Sequence, residues 1–420
     1  MTTLVKLEPK NYVTDSPRFP DFPHAEWERR IKRAKKLMSE NKVDALVLWK
    51  REDIRYFFGF QTTHWEFPSI QPAVGIIPLD GDPVLIVPEL LLTNAQIFGF
   101  CREIWYQPGA HEVPKERLLP KEVANILKKM GLGKKNLALE SGYLGLIWIP
   151  RPLNDIEAFK NALPDAKFVD GDKVIWGCRM IKSALEIDRI RQAAQVITKC
   201  HSSIVEQYRP GMTEMDIGKI IHGVEVAAGD FRGGDTTVAH HITCNLEKEG
   251  ACDILAIDDV PIGKDDYIHV DLQHKHKGYW ADIARIFQVG EITDNMIRSY
   301  KLCEEGLDNA ASIIKPGVKA NELYKAAVKP LVEAGYIPIE MAGHGIGLDM
   351  HEPPSIDITN DMIIEEGMVF ALEVWLMTSL KRNGGEGVFG LEDQYVCTSN
   401  GYEKIEGLRK SIIKVSHPIC

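Results

Sequence analysis

At 420 residues and 47.2 kDa the chain is too long for one compact core and predicts two domains. Its 45% hydrophobic and 26% charged make-up excludes disordered, collagen-like and fibrous classes, and a net charge of −10 argues against a general nucleic-acid surface. No stretch nears the roughly 20 apolar residues of a membrane span, and MTTLVKLEPKNY lacks the apolar core of a signal peptide, so a cytoplasmic protein without membrane or nucleic-acid partners is expected.

The first 170 or so residues alternate helix and strand patterns, as in an α/β layer. Trp27 to Ser39 carries Ile31, Ala34, Leu37 and Met38 at helical spacing. Ala45–Trp49, Ala73–Pro78, Pro83–Val87 and Asn136–Glu140 read as strands, with Asp80-Gly81-Asp82 as a turn. The polar and aromatic segment Thr62–Phe67, which includes Trp65, reads as a loop or lid. Eight cysteines without a CxxC read as buried thiols in a reducing compartment. Ser183 and Glu186 form a capping box that opens a long helix, and the domain boundary is placed near residue 175, giving domains 1–175 and 176–420.

The second half contains a repeat. Arg209-Pro210-Gly211-Met212 precedes a helix pattern ending at Ala228-Gly229, and Lys315-Pro316-Gly317-Val318 precedes one ending at Ala334-Gly335. Proline and alanine stand 18 residues apart in both copies, each copy follows an earlier helix, and strand-like segments follow each. The duplication predicts an α+β domain with a pseudo-two-fold axis.

Both copies end in acid-bearing hairpins. A two-residue loop at His276-Lys277 would set Asp271 opposite Asp282, with Cβ atoms about 5 Å apart. A hairpin centred near Arg382-Asn383 would set Glu373 opposite Glu392. Ionised carboxylates this close repel unless a proton or cation lies between them. Between the hairpins, Gly343-His344-Gly345-Ile346-Gly347 can turn tightly and hold an imidazole inward. Four carboxylates and an imidazole suit two divalent ions such as Mn, Co, Fe or Zn, which about 3.5–4 Å apart can share a hydroxide. His274 and His276 read as solvated turn residues, and His269 as a structural or supporting one.

These residues resemble the pita-bread metallopeptidases: methionine aminopeptidase, Xaa-Pro aminopeptidase, prolidase and creatinase. That family's motif is an Asp, a second Asp eleven residues on, a His in HGIG and two Glu on separate strands. It falls on Asp271, Asp282, His344, Glu373 and Glu392. Ile54–Phe60 and Arg179–Arg191 are similar to the branch with a creatinase-like N-terminal domain. The resemblance implies a two-domain α/β protein with a C-terminal pita-bread domain, and a homodimer. It also implies a metal-dependent hydrolase of Xaa-Pro peptides, with His351 as the substrate-facing histidine.

Two positions depart from the family. Its proton-shuttling His, 17–19 residues before the first Asp, is replaced by Cys252-Asp253-Ile254, which leaves Asp253 as a stand-in acid. The Pro-Gly after the first Glu is replaced by Val374-Trp375. Both are similar to a metal-binding relative that cleaves dimethylsulfoniopropionate. The rival reading is therefore a lyase or hydrolase of a small zwitterion or onium compound, with Trp65 or Trp375 facing the cation. A binding module without catalysis is the third.

Overall fold

A computed structural model describes residues 4–7, 17–62, 73–101, 103–108, 119–142, 144, 152–229, 239–243, 261–264, 266–291, 293–377, 387–408 and 412–415. The chain divides into two compact units, Met1–Arg179 and Met180–Cys420.

Among the described residues, the first unit contains a seven-stranded mixed sheet. Its strands are β1 (Val5–Lys6), β2 (Ala45–Leu48), β3 (Val74–Pro78), β4 (Val84–Pro88), β5 (Glu103–Gln107), β6 (Asn136–Leu139) and β7 (Lys167–Asp170), in the order β1-β5-β4-β3-β2-β6-β7. The helix expected over Trp27–Ser39 runs His24–Glu40. Residues 45–48, 74 and 76 are wholly buried, as continuous apolar runs in a covered sheet should be.

The second unit holds the duplication. One copy begins with helices Ala184–Gln207 and Glu214–Ala228, and the other with Asp294–Ser312 and Ala320–Glu333. Ser183 and Glu186 form the expected capping box. The first copy continues into β8 (Ala239–Thr243), β9 (Tyr267–His276) and β10 (Tyr279–Gln288). The second continues into β11 (Met341–Gly345), β12 (Glu352–Asp357), β13 (Val369–Met377), β14 (Val388–Thr398) and β15 (Gly401–Lys404). β16 (Ile413–Lys414) completes a sheet ordered β16-β10-β9-β8, and the other sheet is β12-β11-β13-β14-β15.

Local geometry repeats with the sequence. Gly211 and Gly317 hold φ of 92° and 97° in equivalent turns. Two residues on, Thr213 bridges Pro261 and Lys319 bridges Ile363. Ten residues past each bridge stand Asp271 and Glu373.

One register differs from the sequence expectation. The β9–β10 turn is Lys277-Gly278, with φ of 48° and 90°. A tight hairpin needs positive φ at both loop positions, and Gly278 accepts this at little cost, so the loop slides one residue toward it. Tyr279 then pairs with His276, Asp282 with Gln273, and Asp271 with Ala284. The β13–β14 register is the expected one, with Glu373 opposite Glu392. His274 is not a solvated turn residue: it is 2% exposed on β9, with Nδ1 3.3 Å from Glu225 Oε1. Cys101, Cys178, Cys200, Cys303 and Cys397 are buried and unpaired with one another. Among the described residues no helix is long and apolar enough to cross a membrane.

Because Gly278 fixes the β9–β10 register, Gly278→Ala should cost about 1–2 kcal/mol. Urea unfolding should show a lowered midpoint; an unchanged midpoint would contradict this account of the turn.

Candidate metal centre

Strand alternation aims the acids. On β9, Ile268, Val270 and Leu272 enter the apolar core beneath helices Ala184–Gln207 and Glu214–Ala228, which turns Asp271 and Gln273 to the other face. On β13 and β14, Phe370, Leu372, Val374, Leu391 and Tyr395 fill the second core, which turns out Glu373 and Glu392. The acids are nonetheless nearly dry: Asp271 is 7% exposed, Asp282 3% and Glu392 1%.

The shifted register makes Asp271 and Asp282 diagonal neighbours on one face and inserts Gln273 between them. Its Nε2 donates to Asp271 Oδ1 at 2.8 Å and to Asp282 Oδ1 at 2.9 Å. This shared amide donor was not legible in the sequence, because it follows from a one-residue choice of turn. Arg285, wholly buried, ties the two acid strands together. Its guanidinium donates to the Glu392 carbonyl at 2.7 Å and the Ala284 carbonyl at 2.8 Å, and pairs with Asp393.

His344 enters from β11. Its Nδ1 lies 3.0 Å from the Gly345 carbonyl, which can only accept, so Nδ1 carries the proton and Nε2 keeps its lone pair. Nε2 lies 3.7 Å from Asp282, 3.8 Å from Glu392 and 4.0 Å from Glu373. The loop after His344 folds around Glu352, which accepts from Asp349 N–H and pairs with the buried Lys182 at 2.9 Å. Gly347 leaves the necessary room, since a Cβ there would lie 2.8 Å from the Glu352 carboxylate. This loop holds His351 with its ring centroid 4.0 Å from that of His344.

Among the described residues, two groups could each hold an ion: Asp282, His344 and His351, and Asp271, Asp282 and Glu392. Within each group one ligand atom per residue lies within 4.8 Å of the others. Asp282 belongs to both, and Glu373 stands at their edge. Trp375 shares the face of Glu373. Trp65 and Asp253 lie outside the described residues.

Burial first, and the charges of Asp271 and Glu373 second, push the Asp282 carboxyl well above its ordinary range. Burial and the neighbouring acids do the same to Glu392, and burial with Asp271 lifts Glu373 to about 7. Burial holds His344 and His351 down to about 4. Glu392 Oε1 is buried without a hydrogen-bond partner. Such a set, repelling when ionised and with a neutral imidazole lone pair aimed at it, fits divalent cations.

The family pattern of metallopeptidase family M24 matches residues 188–399, and that of the creatinase/prolidase N-terminal domain matches residues 30–181. The chain belongs to metallopeptidase family M24. With membership comes the class, a metal-dependent hydrolase with a divalent-metal cofactor. An uncharacterized hydrolase/peptidase of Sinorhizobium fredii is 26% identical, covering 84% of this chain and 88% of that protein. The Xaa-Pro dipeptidase of Pyrococcus horikoshii is 25% identical, covering 91% of this chain and 98% of that protein. The crystal structure of dipeptidase PepE from Mycobacterium ulcerans superposes with a TM-score of 0.77 at 22% identity, over 94% of this chain and 99% of that one. It shares the two-domain fold.

Protonation and metal binding at this M24 centre compete. In the metal-free protein, Glu373 costs stability as pH rises from its ordinary 4.5 through about 7. The two histidines cost stability as pH falls from 6.5 through about 4. Near pH 6.5 the histidines are neutral and the acids still hold protons, so metal uptake should release at least about one proton per chain. Calorimetry in two buffers of different ionisation enthalpy reads that number. Heats independent of the buffer would contradict the protonated carboxylates.

Proposed function

We propose that the chain is a dinuclear-metal hydrolase of Xaa-Pro dipeptides or other short peptides. The observation that carries this reading is the pair of ligand groups sharing Asp282. Asp271 and Glu392 would complete one site and His344 the other, where Glu373, with Oε1 4.0 Å from His344 Nε2, would serve as ligand in place of His351, which faces the substrate. Two divalent ions of the Mn, Co, Fe or Zn kind would supply Lewis acidity and lower the pKa of water to a useful range.

The chain's own groups do the rest. Gln273 donates to one oxygen of Asp271 and one of Asp282 and so orients both carboxylates. His351, uncharged at neutral pH, is the N–H donor for charge that develops on a scissile carbonyl oxygen. For the proton needed by the leaving amine, β8 offers an alternative to Asp253. It pairs with β9 so that His241 is in register with Asp271. β8 flanks β9 as β11, carrying His344, flanks β13. We therefore assign the shuttle to His241.

The near full-length similarity to a protein named Xaa-Pro dipeptidase supports a dipeptide substrate. The relatives named above carry peptidase or dipeptidase names, and where the dimethylsulfoniopropionate-cleaving relative has an extra Asp two residues from the first metal ligand, this chain has Gln273 or His269. Neither point favours the lyase reading.

Metal-loaded protein should hydrolyse Xaa-Pro dipeptides and leave dimethylsulfoniopropionate intact. Asp282→Ala and Glu392→Ala should lose metal, measured by elemental analysis, together with activity. Negligible dipeptide turnover by the metal-replete protein would overturn the peptidase reading. His241→Ala should slow turnover about 10²–10⁴-fold at unchanged metal content. If Asp253→Asn shows that loss and His241→Ala does not, the shuttle is Asp253.

A further inference from the structure

Two residues beyond Glu373 on the same face of β13, Trp375 turns its indole back along the strand. Its Nε1–H donates to Glu373 Oε2 at 2.6 Å. The other carboxylate oxygen, Oε1, is the one 4.0 Å from His344 Nε2.

The indole is held there from two sides. Across the sheet it pairs with Gly390 of β14, which leaves room for it. A Cβ on Gly390 would lie 2.8 Å from Trp375 Cζ3, 2.9 Å from Trp375 Cε3 and 2.9 Å from His269 Nε2. The backbone of Gly390 is thus the floor on which the indole lies. From the neighbouring sheet, His269, buried and two residues before Asp271, meets the indole edge-to-face, with ring centroids 4.9 Å apart and planes at 73°. Gly390, His269 and Trp375 therefore stand two residues from Glu392, Asp271 and Glu373 respectively, and interlock.

We propose that Trp375 is a positioning residue for the metal centre: seated on Gly390 and buttressed by His269, it clamps one oxygen of Glu373 and leaves the carboxylate a single oxygen to offer a cation. The inference rests on the metal-centre reading above. An unclamped glutamate in this place would rotate freely about its terminal torsion and could present both oxygens. The clamp fixes that torsion, the role of groups that orient metal ligands from behind.

The test uses the full chain, stripped of metal and titrated with cobalt(II) as probe. Trp375→Phe keeps a ring on Gly390 and removes the N–H. Its thermal midpoint should stay near wild type, its cobalt affinity should fall about 10–100-fold, and its visible cobalt bands should weaken as Glu373 contributes a second oxygen. Gly390→Ala, which displaces the indole, should give the same spectral change. Combining the two should add little, because both remove one interaction. A merely structural role would lower the thermal midpoint and leave the cobalt spectrum of the folded protein unmoved. Wild-type affinity and bands in both variants overturn the clamp while leaving the metal centre in place. A wild-type protein that takes up no cobalt overturns both.

Discussion

Everything at the centre of the second unit follows from mutual repulsion among carboxylates kept out of water. Asp271, Asp282, Glu373 and Glu392 converge from four strands, three of them less than a tenth exposed. Apolar packing behind the strands forces them there, because each acid alternates with residues that belong to the cores. Without a cation the cluster must hold protons, as the raised carboxyl pKa values express. With one, the same repulsion becomes the source of affinity.

The duplicated unit solves a geometric problem. One hairpin can present two acids on one face, but surrounding an ion requires donors from several directions. Two copies of the helix–helix–hairpin unit supply two pairs, and Arg285 ties their inner strands through backbone carbonyls as well as Asp393. His344 comes from β11 and His351 from the loop that follows it, which Glu352 and Lys182 organise.

Much of this was legible in the residues because it depends on alternation and spacing. The strands of the first unit, the repeat, the capping box at Ser183 and the pairing of Glu373 with Glu392 follow from patterns of two and 3.6 residues and from glycine punctuation. What failed depends on choices that pattern does not encode. The β9–β10 register turned on which of two adjacent loops puts glycine at positive φ, and the shift replaced a direct Asp271–Asp282 pair with a diagonal one bridged by Gln273. His274, in a charged run beside that turn, looked solvated; its burial depends on Glu225 from a helix 49 residues earlier in the chain. Spacing alone gives no sign that strand pairing brings His241 level with Asp271. The seat beneath Trp375 needed Gly390, from the partner strand, to be known.

On the proposed function, the five residues Asp271, Asp282, His344, Glu373 and Glu392 hold two ions between them. Anomalous diffraction from crystals grown with manganese or cobalt tests it directly. Two peaks are expected inside this ring, about 3.5–4 Å apart, with Asp282 touching both. A single peak, peaks elsewhere in the chain, or a ring of acids without anomalous density in metal-saturated crystals would contradict it.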